Sequence, residues 1–172
     1  MIRSLGNKIP KIAESAFINE AAYVIGDVEI GENSSVWPGA VIRGDFGKVK
    51  IGKYTAVEDN CVIHAGGSPT GDITIGDRVL IGHGAVINCR KIGNRVLIGM
   101  NSTILHGAEI SNFCIIGASC LVVQGMKIPD NSFVIGIPGK IKGMTSQQQL
   151  KWIEEGPQYY AKLAKQYKEQ GL

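Results

Sequence analysis

The stretch IGNRVLIGMNSTILHGAEISNFCIIG, residues 92–117, places an aliphatic residue at every sixth position. A glycine often follows that residue, as at Gly93 and Gly99, and a small residue stands four positions after it, as at Ser102 and Cys114. A fixed short period is typical of a solenoid. The same aliphatic position recurs across most of the chain, at Ile18, Val24, Ile30, Val36, Ile42, Ile51, Val57, Ile63, Ile75, Ile81, Ile87, Ile92, Ile98, Ile104, Ile110, Ile116, Val122, Ile128 and Val134.

The six-residue period fits neither a helix nor a single flat strand. A helix repeats its apolar positions at three and four residues, and a half-buried strand alternates them. A short strand followed by a bend fits, because the aliphatic residue and the small residue four positions later then point to one side. Bend residues such as Asp27, Asn33, Asn94 and Asn112 tolerate left-handed backbone angles. Three units close one triangular coil, so we predict an all-β parallel β-helix of roughly six or seven coils.

Composition limits the partners and the location that we expect for this chain. The chain has 172 residues and a net charge of +3, without a basic cluster, so we expect no nucleic-acid partner. It shows no signal peptide and no apolar run of transmembrane length, which favours a cytoplasmic protein without membrane contact. Cys61, Cys114 and Cys120 occupy the small position of the repeat and are predicted to be buried thiols, whereas Cys89 lies off the pattern.

The last thirty residues have a different pattern. We predict a β-helix domain over 1–142 and a helical tail over 143–172 that packs on it. Thr145 or Ser146 can cap a helix, and apolar residues then recur at helical spacing. Gly156 and Pro157 predict a break or kink, with Pro157 opening a second helix.

The repeat is interrupted three times, and solenoids carry functional loops at such points. Ile42 to Ile51 contains three extra residues, and Ile63 to Ile75 contains a loop in place of an ordinary unit. Ile87 to Ile92 is one residue short. Two of the three histidines, His64 and His83, lie beside these interruptions.

The segments around the interruptions carry a family resemblance. WPGAVIRGD (37–45), EDNCVIH (58–64), IGHGAV (81–86) and GIPGK (136–140) resemble the γ-class carbonic anhydrase family. The resemblance implies a left-handed β-helix, a homotrimer, and carbon dioxide and bicarbonate as substrates. It also implies one zinc or iron site at each subunit interface, held by three histidines, of which two come from one chain and one from its neighbour.

The resemblance assigns candidate site residues one at a time. It makes His64 and His83 metal ligands, and it puts Asn88 where the third histidine belongs. Arg43 and Asp45 correspond to a pair that forms across the interface. Two further catalytic candidates are Asp59, which follows the family pattern, and Glu58, which replaces a water-positioning glutamine.

The missing imidazole leaves the metal site open to several interpretations. An amide oxygen is a poor zinc ligand beside imidazole, thiolate or carboxylate. Glu58 is the first candidate for a replacement ligand, since two histidines and one carboxylate suit zinc and iron(II). His106 comes second, about one coil from Asn88, and Cys89 comes last because its side chain should point away. The remaining possibility is that no metal binds tightly.

Three functions therefore compete. The first is a γ-carbonic-anhydrase-like trimer with an altered interfacial metal site, which hydrates carbon dioxide if it binds metal. The second is an acyltransferase on the same scaffold that uses acyl-CoA, with His83 or His106 as general base. The third is a non-catalytic assembly or structural subunit.

Overall fold

A computed structural model describes residues 1–66 and 71–172 of the chain as a parallel β-solenoid followed by one long helix. Residues 67–70, part of the predicted loop between Ile63 and Ile75, lie outside the described residues. The strands are β1 (Ile2–Arg3), β2 (Lys11–Ile12), β3 (Phe17–Ile18), β4 (Tyr23–Ile30), β5 (Ser35–Val36), β6 (Val41–Ile51), β7 (Ala56–Val57), β8 (Val62–His64), β9 (Ile73–Ile75), β10 (Leu80–Ile81), β11 (Val86–Ile87), β12 (Lys91–Ile92), β13 (Leu97–Ile98), β14 (Thr103–Ile104), β15 (Glu109–Ile110), β16 (Ile115–Ile116), β17 (Leu121–Val122), β18 (Lys127–Ile128), β19 (Ser132–Ile135) and β20 (Lys140–Met144).

The strands stack into three faces, as the repeat predicts. One face is a sheet in which β3, β5, β7, β10, β13, β16 and β19 are parallel neighbours, so seven coils follow one another. The antiparallel strand β20 closes the end of that sheet. The other two faces are joined by the long strands β4 and β6, which bend from one face to the next. The predicted parallel β-helix of six or seven coils is confirmed.

The core is a set of aliphatic columns that run along the solenoid. Ile42, Ile63, Ile87, Ile104 and Val122 are consecutive partners in one column and are fully buried. Burial of each such side chain contributes on the order of 1.5–3 kcal/mol. The columns fix the register, because a slip by one residue would turn every aliphatic side chain outward.

The corners are held by side-chain amides and carboxylates that hydrogen-bond to the coil before them. Asn112 accepts a hydrogen bond from the backbone N–H of Asn94, and Asn94 accepts one from Asp77. Asn33 and Asn101 have left-handed backbone angles, with φ of 56° and 55°. These corners make the strand ends coincide from coil to coil, and the candidate site residues lie at such ends.

The C-terminal helix α1 spans Gln147–Gln170. Its predicted cap is confirmed. The Ser146 hydroxyl accepts a hydrogen bond from the Gln149 backbone N–H, and the Gln149 side-chain oxygen accepts one from the Ser146 backbone N–H. The prediction of a second helix starting at Pro157 is wrong, because α1 continues through it. Pro157 is buried together with Ile153, so packing on the solenoid offsets the backbone hydrogen bond that proline cannot donate.

Aromatic residues attach the helix to the solenoid. The ring of Trp37 lies 5.5 Å from that of Tyr160 and 5.1 Å from that of Tyr167, and Phe17 packs beside them. No helix in the described part of the chain is long and apolar enough to cross a membrane.

Candidate functional site

His64 and Asn88 lie side by side at the ends of neighbouring strands. Strands β8 and β11 are parallel, with Val62 opposite Val86 and Ile63 opposite Ile87, so the next residues in each strand face each other. The Asn88 amide nitrogen donates to the backbone carbonyl of His64. The Asn88 amide oxygen is buried, and no donor within the described ranges 1–66 and 71–172 reaches it. A buried acceptor without a donor costs about 1–3 kcal/mol, so this position favours a further partner.

The imidazole of His64 is enclosed by an ion pair from strand β6. Its Nε2 atom lies 2.8 Å from Asp45 Oδ1 and 3.1 Å from Arg43 Nη2. Arg43 Nη1 and Asp45 Oδ2 are 3.2 Å apart, so the two residues pair within one chain. The family resemblance had implied a pair across an interface. We call His64, Asn88, Arg43 and Asp45 the first cluster.

The first cluster is electrostatically balanced. Burial by itself would raise the pKa of Asp45, but hydrogen bonds from His64 and the Phe46 backbone, with the Arg43 charge, lower that pKa on balance. Asp45 is therefore an anion at neutral pH with a permanent cation beside it. The Phe46 ring lies 5.9 Å from the His64 ring and is 77% exposed, so it leaves an apolar surface next to the imidazole.

His83 lies on a different sheet, between two carboxylates. Glu58 follows β7 and His83 follows β10, and these strands are neighbours with Val57 opposite Ile81. His83 Nε2 is 2.9 Å from Glu58 Oε2, and His83 Nδ1 is 2.9 Å from Asp59 Oδ2. The backbone N–H of His83 also donates to Glu58 Oε2 at 3.0 Å. We call His83, Glu58 and Asp59 the second cluster.

Glu58 is the buried member of the second cluster. Its side chain is only 6% exposed, whereas the His83 side chain is 47% exposed and the Asp59 side chain 39%. Tyr160 of helix α1 lies behind it. Burial first, and then the Glu58 charge and a hydrogen bond to Glu58, raise the pKa of the Tyr160 hydroxyl, which therefore stays protonated. The C-terminal helix thus supports the carboxylate that contacts His83.

Two of the three candidate replacements for the third ligand lie in unsuitable places. The chain is one residue short between β11 and β12, and β14 pairs with β11 at an offset of seventeen, Ile104 opposite Ile87. Leu105, not His106, therefore lies over Asn88, and His106 is exposed in the next turn. Cys89 is buried in the core, as its position after Asn88 predicts, and burial raises the pKa of its thiol to about 12. Glu58 is the remaining candidate.

Sequence reasoning missed two residues that contact these clusters, Phe46 and Tyr160. Phe46 was visible only as one of the extra residues in the first interruption, and nothing in the repeat distinguishes it. Tyr160 was visible only as an apolar position of the helix. Its place behind Glu58 depends on how α1 packs against Trp37, which the sequence pattern does not encode.

The two clusters do not form a complete metal site within one chain. No group of three histidine, cysteine, aspartate or glutamate side chains that could hold a metal occurs in residues 1–66 and 71–172. Each cluster nevertheless presents an imidazole, and in the second cluster the His83 imidazole lies beside the Glu58 carboxylate, an oxygen ligand that suits a metal. These donors fit zinc or iron(II) if a second copy of the chain brings the clusters together.

Comparison with known proteins assigns the class. A protein-family profile described as bacterial transferase hexapeptide (six repeats) matches residues 9–44 and 91–124. A structure of a putative acetyltransferase from Bacillus cereus superimposes with a TM-score of 0.93 at 38% identity, covering 98% of this chain and 97% of that one. The fold is therefore that of the hexapeptide-repeat proteins.

Sequence relatives identify the family of this chain within the hexapeptide-repeat class. A probable carbonic anhydrase from Methanocaldococcus jannaschii is 48% identical over 89% of this chain and 95% of its own length. A carbonic anhydrase from Geobacillus kaustophilus is 37% identical over 98% of this chain and 91% of its own. The chain belongs to the γ-class carbonic-anhydrase-like family of hexapeptide-repeat proteins.

Proposed function

We propose that the protein is a homotrimeric, metal-dependent carbonic anhydrase that interconverts carbon dioxide and bicarbonate. His64 of one subunit and His83 of the next would bind zinc or iron. The observation that carries this proposal is that His83 contacts the buried Glu58 carboxylate while His64 lies at another strand end of the same chain, as the two halves of a shared metal site would require. A closed ring of identical chains lets each subunit supply one half to each neighbour. The carbonic anhydrase relatives support the same assignment.

A metal at this site would act as a Lewis acid that makes water nucleophilic near neutral pH, with a water pKa of about 7 for zinc held by three histidines. The chain's own residues have other tasks. Asp59 is partly exposed and contacts His83 Nδ1, which orients the ring so that its Nε2 atom lies beside Glu58, where a metal would bind. Arg43 provides a cation, 44% exposed in its side chain, that can attract the bicarbonate anion.

The reaction requires one proton to leave. Carbon dioxide and water give bicarbonate and a proton: one C–O σ bond forms, one C–O π bond opens onto oxygen, and one O–H bond breaks to release the proton. Asp59 is a suitable acceptor because its carboxylate is close to the imidazole and partly exposed to solvent, to which the proton must pass. The exposed ring of Phe46 provides an apolar surface that favours an uncharged gas over water.

The test combines assembly, metal content and activity. We expect purified protein to be a trimer by light scattering, to hold about one zinc or iron per chain by elemental analysis, and to hydrate carbon dioxide in a stopped-flow pH-indicator assay. A chelator should abolish the activity and added metal should restore it. His106→Ala is the matched control, since this histidine is exposed in a turn, and it should keep full metal content. Protein that stays metal-free and inactive with zinc and with iron(II) contradicts the proposal.

A hexapeptide-repeat acyltransferase is the second candidate. The observation that favours it is the partly exposed His83 imidazole held by two carboxylates, an arrangement suited to a general base. The similarity to a putative acetyltransferase points the same way. Thermal stabilisation of the metal-free protein by acetyl-CoA, with none by zinc, would select this function.

A further inference from the structure

We infer that Glu58 is itself a metal ligand, so that the interfacial site is a set of two histidines and one carboxylate: His64, His83 and Glu58. Asn88 then supports the site without binding the metal. The inference deepens the proposed function and rests on it.

The geometry of the second cluster favours this assignment. Glu58 Oε2 and His83 Nε2 are 2.9 Å apart. Two donor atoms that share a metal at about 2.1 Å lie roughly 3.0–3.4 Å from each other. The separation of the two atoms is therefore within a few tenths of an ångström of that between two ligands of one metal. The strand stack already holds the Glu58 side chain in place, because the His83 backbone N–H donates to the same carboxylate oxygen.

Charge and burial favour it as well. Glu58 is nearly fully buried, and no lysine or arginine among residues 1–66 and 71–172 forms an ion pair with it. Among these described residues, the basic side chain within ion-pair distance of Glu58 is that of His83, which the exposed Asp59 also contacts. A buried carboxylate requires compensation, because desolvation costs several kcal/mol. Asp45 of the first cluster has that compensation from Arg43. A divalent cation between His83 and Glu58 would supply it in the second cluster.

The alternatives for the third ligand are weaker. Asn88 offers a neutral amide oxygen, and its amide nitrogen is already bonded to the His64 carbonyl. Cys89 is buried in the core with a thiol pKa of about 12. His106 is displaced from Asn88 by Leu105. Asn88 therefore fixes the strand end that carries His64, which is a positioning role.

The experiment compares the effects on zinc binding of replacing Glu58 and Asp59, the two carboxylates that contact the His83 ring. Zinc affinity is measured on the trimer by competition with a chromophoric chelator, and the absorption spectrum of the cobalt(II) form reports the ligand set without any activity assay. Glu58→Gln keeps an oxygen that accepts from the His83 backbone N–H, but it removes the ligand charge. We expect Glu58→Gln to weaken zinc binding at least ~100-fold and to change the cobalt spectrum.

Asp59→Asn is the matched control, because it contacts the other ring nitrogen of the same histidine. We expect it to weaken zinc about 10-fold and to leave the cobalt spectrum unchanged. The double variant Glu58→Gln/Asn88→His should regain the parent affinity through a third imidazole, and it also carries the test if Glu58→Gln alone does not assemble.

Three outcomes overturn the inference. A Glu58→Gln trimer that binds zinc within about threefold of the parent shows that Glu58 is not a ligand, while the proposed function stands. If the double variant Glu58→Gln/Asn88→His does not regain zinc binding, a histidine at residue 88 does not replace Glu58 as the third ligand. A parent trimer that binds neither zinc nor iron(II) overturns the proposed function together with the inference.

Discussion

The first and second clusters differ in how their charges are satisfied, although each centres on one histidine at a strand end. In the first, an arginine and an aspartate enclose His64, and the Asn88 amide oxygen is a buried atom that no hydrogen-bond donor among the described residues reaches. In the second, two carboxylates share His83, and no lysine or arginine within the described residues pairs with the buried one. The first cluster is thus neutral and short of one donor, whereas the second carries excess negative charge.

In the proposed site, this difference indicates how much each cluster would contribute to metal binding. A cation gains most where negative charge is buried and unpaired, so the second cluster is the stronger half of the proposed site. The first cluster contributes one imidazole and a guanidinium suited to an anionic product. Loss of a histidine at residue 88 is consequently less damaging than it would be if the carboxylate lay elsewhere.

The largest expected effect comes from separating the halves. His64→Ala and His83→Ala should each abolish metal binding as pure trimers. When the two variants are co-expressed, the His83→Ala chain still carries His64 and the His64→Ala chain still carries His83. An interface that joins these two histidines is intact. Random assembly restores about one quarter of the sites. Elemental analysis of mixed trimers measures this directly. If metal content stays at zero in the mixture, the two histidines do not belong to one interfacial site.

Asn88→His should produce the next largest effect, in the opposite direction. It adds an imidazole beside His64 as a further metal ligand, so we expect zinc affinity to rise ~10–100-fold. Chelator competition on the parent and variant trimers gives the ratio. Asn131→His is a suitable control, since this residue occupies a corner with a left-handed backbone in the last coil and should give no gain. Unchanged affinity in Asn88→His would mean that the first cluster does not face the metal.

The fold could be predicted from the sequence because a six-residue period leaves few alternatives. Each aliphatic residue of the repeat, such as Ile63 or Ile87, has one way to be buried. The site was less predictable. The offset of seventeen between β11 and β14, which puts Leu105 over Asn88, depends on where the chain absorbs a single missing residue. The role of Tyr160 depends on packing between distant segments, and so does the continuity of α1 through Pro157.

A smaller effect distinguishes the clusters through the C-terminal helix, which supports only the second. Tyr160→Phe removes the hydroxyl that lies behind Glu58. We expect a loss of about 1 kcal/mol in the free energy of unfolding and a decrease in zinc affinity of roughly three- to tenfold. Tyr159→Phe is the matched control, because that neighbour is 65% exposed, and it should change neither quantity. Equal effects of Tyr160→Phe and Tyr159→Phe on both quantities would show that the Tyr160 hydroxyl does not support Glu58.

The smallest expected effect concerns the cysteines beside each cluster. Cys89 follows Asn88, and Cys61 lies two residues after Asp59, yet both thiols are buried and burial raises the pKa of each to about 12. At pH 8 the thiolate of each is therefore about 1,000-fold scarcer than for a thiol with the ordinary value of 9.0, and it becomes available only as the pH approaches 12. Native protein should resist iodoacetamide at pH 8 and react fully once unfolded.

Zinc affinity should change less than about twofold in Cys89→Ala, because the side chain points into the core and away from either histidine. A larger loss of affinity, or rapid alkylation that metal prevents, would place a thiolate in the site and remove the need for a carboxylate ligand.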